Sequence, residues 1–505
     1  MDMFANLALG FGEAFAPLNL MYCFIGVFLG TFIGVLPGIG ALATISMLLP
    51  LTFHVPPTAA LVMLAGIYYG AQYGGSTAAI LLNLPGTPSA AVACLDGYPM
   101  GQKGRAGVAL LMTTVASFVG GSLGIIILTA FSPALAGIAL SFGPADYFAM
   151  MLLGLVAAAT LAQGSPVKGI AMVLVGLALG MVGTDVQTGA QRFTFGIPEL
   201  SDGLSLVALA MGLFGVSEVI ASINRMRTGQ RSKERITFRS MVPQRNDLRQ
   251  SAFPMLRGTG IGAIFGALPG AGATIASFLA YAVEKKVSRH PERFGQGAIE
   301  GVTAPESANN AAAQTAFIPT LTLGIPGDAV MALMLGAMII QGIQPGPRLV
   351  TEHPELFWGL IASFWIGNVM LVVLNLPLIG IWIKMLAIPY RILYPAILLF
   401  ICIGVFSVNN NAFDILLVLV FGVIGYAMML LKFEPAPLVL GFILGPLMEE
   451  HLRRAMLLSR GDPMVFLERP ISAGFLMVTT ALLVWAGMTA VKQQRQARRM
   501  AVAAG

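Results

Sequence analysis

Apolar runs of bilayer length recur along this chain, and no other feature limits its fold so strongly. "GVALLMTTVASFVGGSLGIIILTA" from Gly107 to Ala130 and "LFWGLIASFWIGNVMLVVLNLPLIGIWI" from Leu356 to Ile383 are two of them. About 20 such residues in a helix cross the hydrocarbon core. A spanning segment must satisfy its own backbone hydrogen bonds, which restricts it to a helix or a closed barrel. Runs of this length without alternation read as helices. Only 10% of residues are charged and 57% are hydrophobic, against roughly 25% charged in soluble domains. The sequence therefore predicts an all-α polytopic membrane protein with about 10–12 transmembrane segments.

The net charge is +6, and most basic residues gather at 96–107, Lys168, 225–257 and 284–297. The positive-inside rule places these loops in the cytoplasm, and their distribution gives no reason to invoke nucleic acid. Between them the chain crosses in pairs: 107–130 outward and about 146–163 back, then 169–184 outward and 203–223 back. The outer loop "TDVQTGAQRFTFGIPELSDG" has Arg192 as its one basic residue. The start lacks the basic region of a secretory signal and carries Asp2 and Glu13, so it reads as mature protein. The C-terminal "KQQRQARR" reads as a cytoplasmic anchor. For 435–470, where a short apolar stretch precedes Glu449, Glu450, Arg453 and Arg454, spanning and non-spanning readings both stay open. Cys23, Cys94 and Cys402 are too far apart to suggest a disulfide framework, and the four histidines are scattered through loops.

Residues 26–41, "GVFLGTFIGVLPGIGA", align with residues 258–273, "GTGIGAIFGALPGAGA", over the whole LPGxGA element and the glycines before it. Gly26, Gly30 and Gly34, like Gly258, Gly262 and Gly266, recur every four residues. Each set makes a smooth stripe for close helix approach. Pro37, Gly38 and Gly40, and Pro269, Gly270 and Gly272, are placed to end a helix mid-segment. Each element is expected to be a re-entrant hairpin. The second is flanked by basic loops and so enters from the cytoplasm. The first has no Lys or Arg on either flank and so enters from outside, which makes the two repeats inverted. A second break follows in each half, with Pro85 and Gly86 matching Pro326 and Gly327. The chain then divides into 1–105 (first hairpin and break), 106–224 (helices completing the first half), 225–257 (cytoplasmic linker), 258–350 (second hairpin and break) and 351–505 (helices completing the second half, and the tail). Paired interruptions in two halves are the sequence mark of a transporter site.

The stretches "GVLPGIGALATISMLLPLTF", "YYGAQYGGSTAAILLNLPGTPSAAVACLDGYPMGQKGRAGVAL" and "APESANNAAAQTAFIPTLTLGIPGDAVMA" strongly resemble the tripartite tricarboxylate transporter large subunit, the TctA family, over essentially the whole chain. The resemblance implies a permease of the bacterial cytoplasmic (inner) membrane. It further implies a small four-helix membrane subunit (TctB-like) and a periplasmic solute-binding protein (TctC-like) as partners, and uptake driven by an ion gradient. No cofactor is expected, and the coupling ion stays open between a sodium ion and a proton.

The repeat motifs contain no Lys or Arg, so a carboxylate substrate must be held by neutral donors, helix N-termini and an accompanying cation. Candidates for the substrate are Ser76, Thr77, Asn83, Thr87 and Ser89, with the backbone at Pro85 and Gly86. The second half offers Asn309, Asn310, Gln314 and Thr322, with Pro326 and Gly327. Each polar group alone is equally explained by helix packing. Asp328 and Glu306 are the acidic residues of the second polar tract and candidates for cation or proton coupling. The plainer reading makes Glu306 a helix cap, because Pro305 suits a helix start. An intramembrane enzyme is the rival class. No HExxH motif, no histidine in the polar tracts and no evident aspartate partner for Asp328 supports it.

Overall fold

The computed structural model describes residues 3–36, 40–161, 165–185, 187–223, 236–270, 272–386 and 390–504. Pro37 and Gly38, expected at the first hairpin tip, lie outside the described residues, as does 224–235 of the charged stretch. The chain is an all-α polytopic membrane protein. Its one described sheet is a two-residue antiparallel ladder, Gly183–Thr184 with Gln191–Arg192. Among the described residues, five helices of at least 18 residues are apolar enough to cross a membrane, and six shorter apolar helices accompany them. In Ala412–Leu430 and Pro470–Thr489 only a minority of the apolar window is buried, 33% and 17% respectively. Leu416, Leu419 and Val423 on one, with Met477, Val484 and Met488 on the other, form an apolar exterior that only lipid solvates favourably.

The two hairpins and their broken helices repeat the same close approaches at matching positions, although the second arm is short in the first, Gly40–Leu48, and longer in the second, Gly272–Val287. In the first half, Pro17–Val35 lies along Pro57–Leu82. A Cβ at Gly26, Gly30 or Gly34 would clash with the backbone of Met63, Ile67 or Ala71 respectively. In the second half, Arg245–Ala267 lies along Glu300–Thr315, and a Cβ at Gly258, Gly262 or Gly266 would clash with the backbone of Ala304, Ala308 or Ala312. Helix Arg245–Ala267 opens with a Gln244–Asp247 capping box, so 245–257 is helix rather than loop. Each broken helix stops on a left-handed residue, Asn83 (φ 57°) in one and Gly324 (φ 71°) in the other. After each break, the same position caps the next turn: Ala90 N donates to Thr87 Oγ1 (3.4 Å) and Met331 N to Asp328 Oδ1 (2.9 Å). Gly86 is pressed against the Gly34 carbonyl and Gly327 against the Gly266 carbonyl, which fastens each break to its own hairpin.

The halves interlock. Gly120 and Gly124 of Ala106–Ala139 let this first-half helix touch the backbone of Ser307 and Ala311 in the second half. Conversely, Gly367 of Pro354–Asn375 sits against the Tyr69 ring of the first half. The region left open, 435–470, holds the helix Ala436–Leu458 followed by a single turn, Val465–Glu468; the first of these is the long element. Its apolar first half is buried against Pro166–Gly180 through Gly176 and Gly441, and its charged second half meets the 183–203 loop. There Arg192 pairs with Asp185 and with Glu449 (3.0 Å), and Arg453 reaches Asp185 (3.0 Å) and Glu449 (2.6 Å). The Gln187 N–H and the Thr188 hydroxyl, followed by the two arginines, hold the Asp185 carboxyl well below the usual carboxylate range.

Candidate functional site

Both hairpin tips and both breaks face one cavity of about 520 Å³, within the roughly 300–1,000 Å³ usual for small-molecule sites. Gly40 and Gly270 with Gly272 come from the tips, Pro85 to Ser89 from the first break and Asp328 from the second. Gly270 (φ +80°) and Gly272 (φ +59°) are left-handed, a conformation that glycine adopts without steric cost. A Cβ at Gly270 would strike the Ala158 backbone, and one at Gly272 would meet the Asp328 side chain. The Gly270 N–H donates to the Gly327 carbonyl (2.7 Å), joining tip to break directly.

Two polar clusters line the cavity. In one, Ser89 Oγ donates to Gln72 Oε1 (2.7 Å) and lies 3.0 Å from Thr87 Oγ1. In the other, Tyr68 Oη donates to Asp328 Oδ2 (2.7 Å) while the second Asp328 oxygen caps Met331. Tyr68 and Gln72 are one turn apart on Pro57–Leu82, so this single helix serves both clusters. Glu218 and Glu434 are the remaining charged lining residues. Among the described lining residues there is no Lys, Arg or His. The described residues contain no group of three His, Cys, Asp or Glu side chains able to hold a metal.

Other expected site residues lie elsewhere. Ser76 and Asn310 are gathered on Glu306, away from the cavity wall: Ser76 Oγ donates at 2.5 Å, Ser117 Oγ at 2.8 Å and Asn310 Nδ2 at 3.2 Å. Glu306 is not a helix cap. Its helix begins at Glu300, Pro305 lies within it, and the carboxyl points into the protein at 3% exposure. Thr77 is buried, Asn83 is the left-handed stop, and Pro326 and Gly327 form the second break. The Thr322 hydroxyl donates to its own helix at Ile318 O. Asn309 and Gln314 are buried, with both amide atoms of Asn309 and Oε1 of Gln314 lacking a protein partner. Pro269 ends Arg245–Ala267 without lining the cavity. The sequence reading had not singled out Tyr68, Gln72, Glu218 or Glu434. The two glutamates stand in apolar stretches, which marks an ionisable residue for attention. Tyr68 and Gln72 share one helical face with Ser76.

A family profile described as the tripartite tricarboxylate transporter TctA family matches residues 20–440. The chain belongs to that family. As a TctA-family protein it is a multi-pass membrane subunit of a tricarboxylate transporter, which operates with other tripartite components. It is 53% identical over 495 residues, 98% of both chains, to an uncharacterized 52.8 kDa protein in the TAR-I ttuC' 3' region of Agrobacterium vitis. It is also 58% identical over 234 residues to an uncharacterized protein in the TAR-II ttuC' 3' region of the same organism, covering 46% of this chain and 97% of that protein. No solved structure matches the chain.

Proposed function

We propose that this TctA-family subunit imports di- or tricarboxylates, citrate-like acids or related small organic anions, across the bacterial cytoplasmic membrane by coupling to an ion gradient. A small four-helix membrane subunit and a periplasmic solute-binding protein complete the system. The cavity carries this reading. It is walled by two matching breaks, offers Gln72, Thr87, Ser89 and Tyr68 as neutral hydrogen-bonding groups, and has Asp328 as a charge with no basic residue beside it among the described lining residues. An anion in such a site needs a cation to enter with it, because unbalanced charge in a low-dielectric interior is costly. Asp328, which supplies anionic oxygen beside the cavity, is the position assigned to that cation; an all-oxygen site suits sodium.

The inverted arrangement is supported by how the helices connect. Pro57 stands beside the base of the first hairpin, and Gln341 at the end of Ala329–Ile340 donates to Thr52 O there. At the other end of Pro57–Leu82, Gly101 is packed on Ile80. Just beyond, Lys103 and Arg105 bind Gln296 O (2.6 Å) and Asp247 (2.7 Å) at the base of the second hairpin. From Pro57 to Ile80 is about 35 Å of helix, so the two bases lie on opposite sides of a bilayer-sized span.

The test is counterflow of radiolabelled citrate and succinate in proteoliposomes holding the chain and its small partner subunit, followed by uptake under an imposed sodium or pH gradient. Exchange of either acid, accelerated by one gradient, is the expected result. No exchange of any carboxylate would refute the reading.

A further inference from the structure

One face of Pro57–Leu82 carries three polar side chains at successive turns, each touching a different element. Tyr68 meets Asp328, Gln72 meets Ser89, and Ser76 meets Glu306. The first two contacts are on the cavity wall, and the third is not. The Ser76 level lies about 12 Å further along the helix axis than that of Tyr68.

At that level Glu306 is 3% exposed, and its hydrogen-bond donors come from three helices: Ser76 of Pro57–Leu82, Ser117 of Ala106–Ala139 and Asn310 of its own helix. All three are neutral. The titratable side chain facing it is Tyr73, whose hydroxyl donates to Asn368 Oδ1 (2.5 Å). On the packed elements Arg257 pairs with Glu284 and Arg105 with Asp247, the Tyr281 hydroxyl donates to Asp96, and Arg245, Arg249, Lys285 and Lys286 are exposed. A charge-balancing partner for Glu306 is therefore missing among the described residues.

We propose that Glu306 is a proton-binding site, separate from the cation position at Asp328 and coupled to the cavity through the Tyr68, Gln72 and Ser76 face. Metal binding is disfavoured by the donor set. Asn310 presents an N–H to Glu306 Oε1 and so cannot ligate there, and Glu306 is not among the residues that line the cavity. A proton suits the same geometry in both of its states. When Glu306 is ionised, both serines donate to it. When it is protonated, its O–H donates to Ser76 Oγ and the serine hydroxyl turns to its own helix carbonyl at i−4. A Lys or Arg in place of Ser76 would have no lone pair with which to make that reversal.

The coupling part rests on the transport reading, whereas the proton site does not, and the experiment separates them. Infrared pH-difference spectra of the full chain in liposomes, without substrate, should show a titrating carboxyl C=O band that Glu306→Gln removes and Asp328→Asn leaves. Ser117→Ala, which takes away one hydrogen bond, should displace the midpoint of that band by roughly one pH unit. It also keeps the test open where the Gln variant fails to insert. Spectra of Glu306→Gln identical to wild type, or a midpoint unmoved in Ser117→Ala, would overturn the proposal. In transport, Glu306→Gln should retain citrate or succinate counterflow while its net uptake becomes independent of pH. A wild-type pH profile in that variant would overturn the coupling. If the wild type moves neither acid, the transport reading falls and the infrared result decides the proton site alone.

Discussion

Asp328 and Thr87 occupy matching places in the duplicated architecture, yet only one of them carries charge. Each caps the turn after its break, Asp328 at Met331 and Thr87 at Ala90. A helix-capping role for Asp328 is thus present, and the same side chain also faces the cavity and takes the Tyr68 hydroxyl. Asp328→Asn keeps an oxygen for capping, so the fold should lose little, about 1 kcal/mol or less. Removing a negative ligand should raise the sodium concentration needed for half-maximal uptake at least tenfold, because about 1.4 kcal/mol of cation binding corresponds to that factor. By linkage, sodium and substrate should tighten each other in the wild type and lose that reciprocity in the variant. Substrate affinity measured across a sodium series in both proteins checks this, and equal cation dependence would return Asp328 to capping alone. That Thr87 and Ser89 line the cavity was legible from their place after Pro85. That Ser76 and Asn310 instead serve Glu306 was not, since hydroxyl and amide side chains look alike in sequence whichever way the helix is rotated.

At the scale of elements, the glycine stripes decide how closely each hairpin approaches its broken helix. Gly262 touches the Ala308 backbone, whereas Gly260, two residues earlier in the same helix, faces open space. Gly262→Val should therefore lower thermal stability and yield in detergent, by about 1–3 kcal/mol or more because backbone cannot step aside as a side chain can. Gly260→Val should change neither by more than about 0.5 kcal/mol. Thermal unfolding of the two purified variants makes the comparison, and equal losses would remove close packing as the cause. Gly270 differs again, being left-handed at the tip and against Ala158. Gly270→Val should insert, since insertion follows total hydrophobicity, but show no detectable uptake. Normal uptake would make the tip a packing feature rather than a wall of the site.

For the whole molecule, the charge asymmetry of the loops and the helix connections point the same way. In a cysteine-free background, His290→Cys should react with an impermeant maleimide only from the cytoplasm and His54→Cys only from outside; both positions are exposed. Reaction from the same side would sink the inverted arrangement while leaving the transport reading in place. The sequence by itself determined the membrane class, the duplication and the positions of the breaks. Hydrophobic length, Pro and Gly act locally, and their consequences hold whatever the chain does elsewhere. The order of the charged end of Ala436–Leu458 escaped it, because those charges are neutralised by Arg192 and Asp185, more than 250 residues away in the chain. Which polar residues face the cavity was likewise settled only by packing. The glycine stripes fix each helix's rotation against its hairpin, and that rotation turns Tyr68 and Gln72 toward the breaks and Ser76 toward Glu306. A cavity made by several segments from two interlocked halves exists only once those rotations are set, since no single segment encodes the distance to the others.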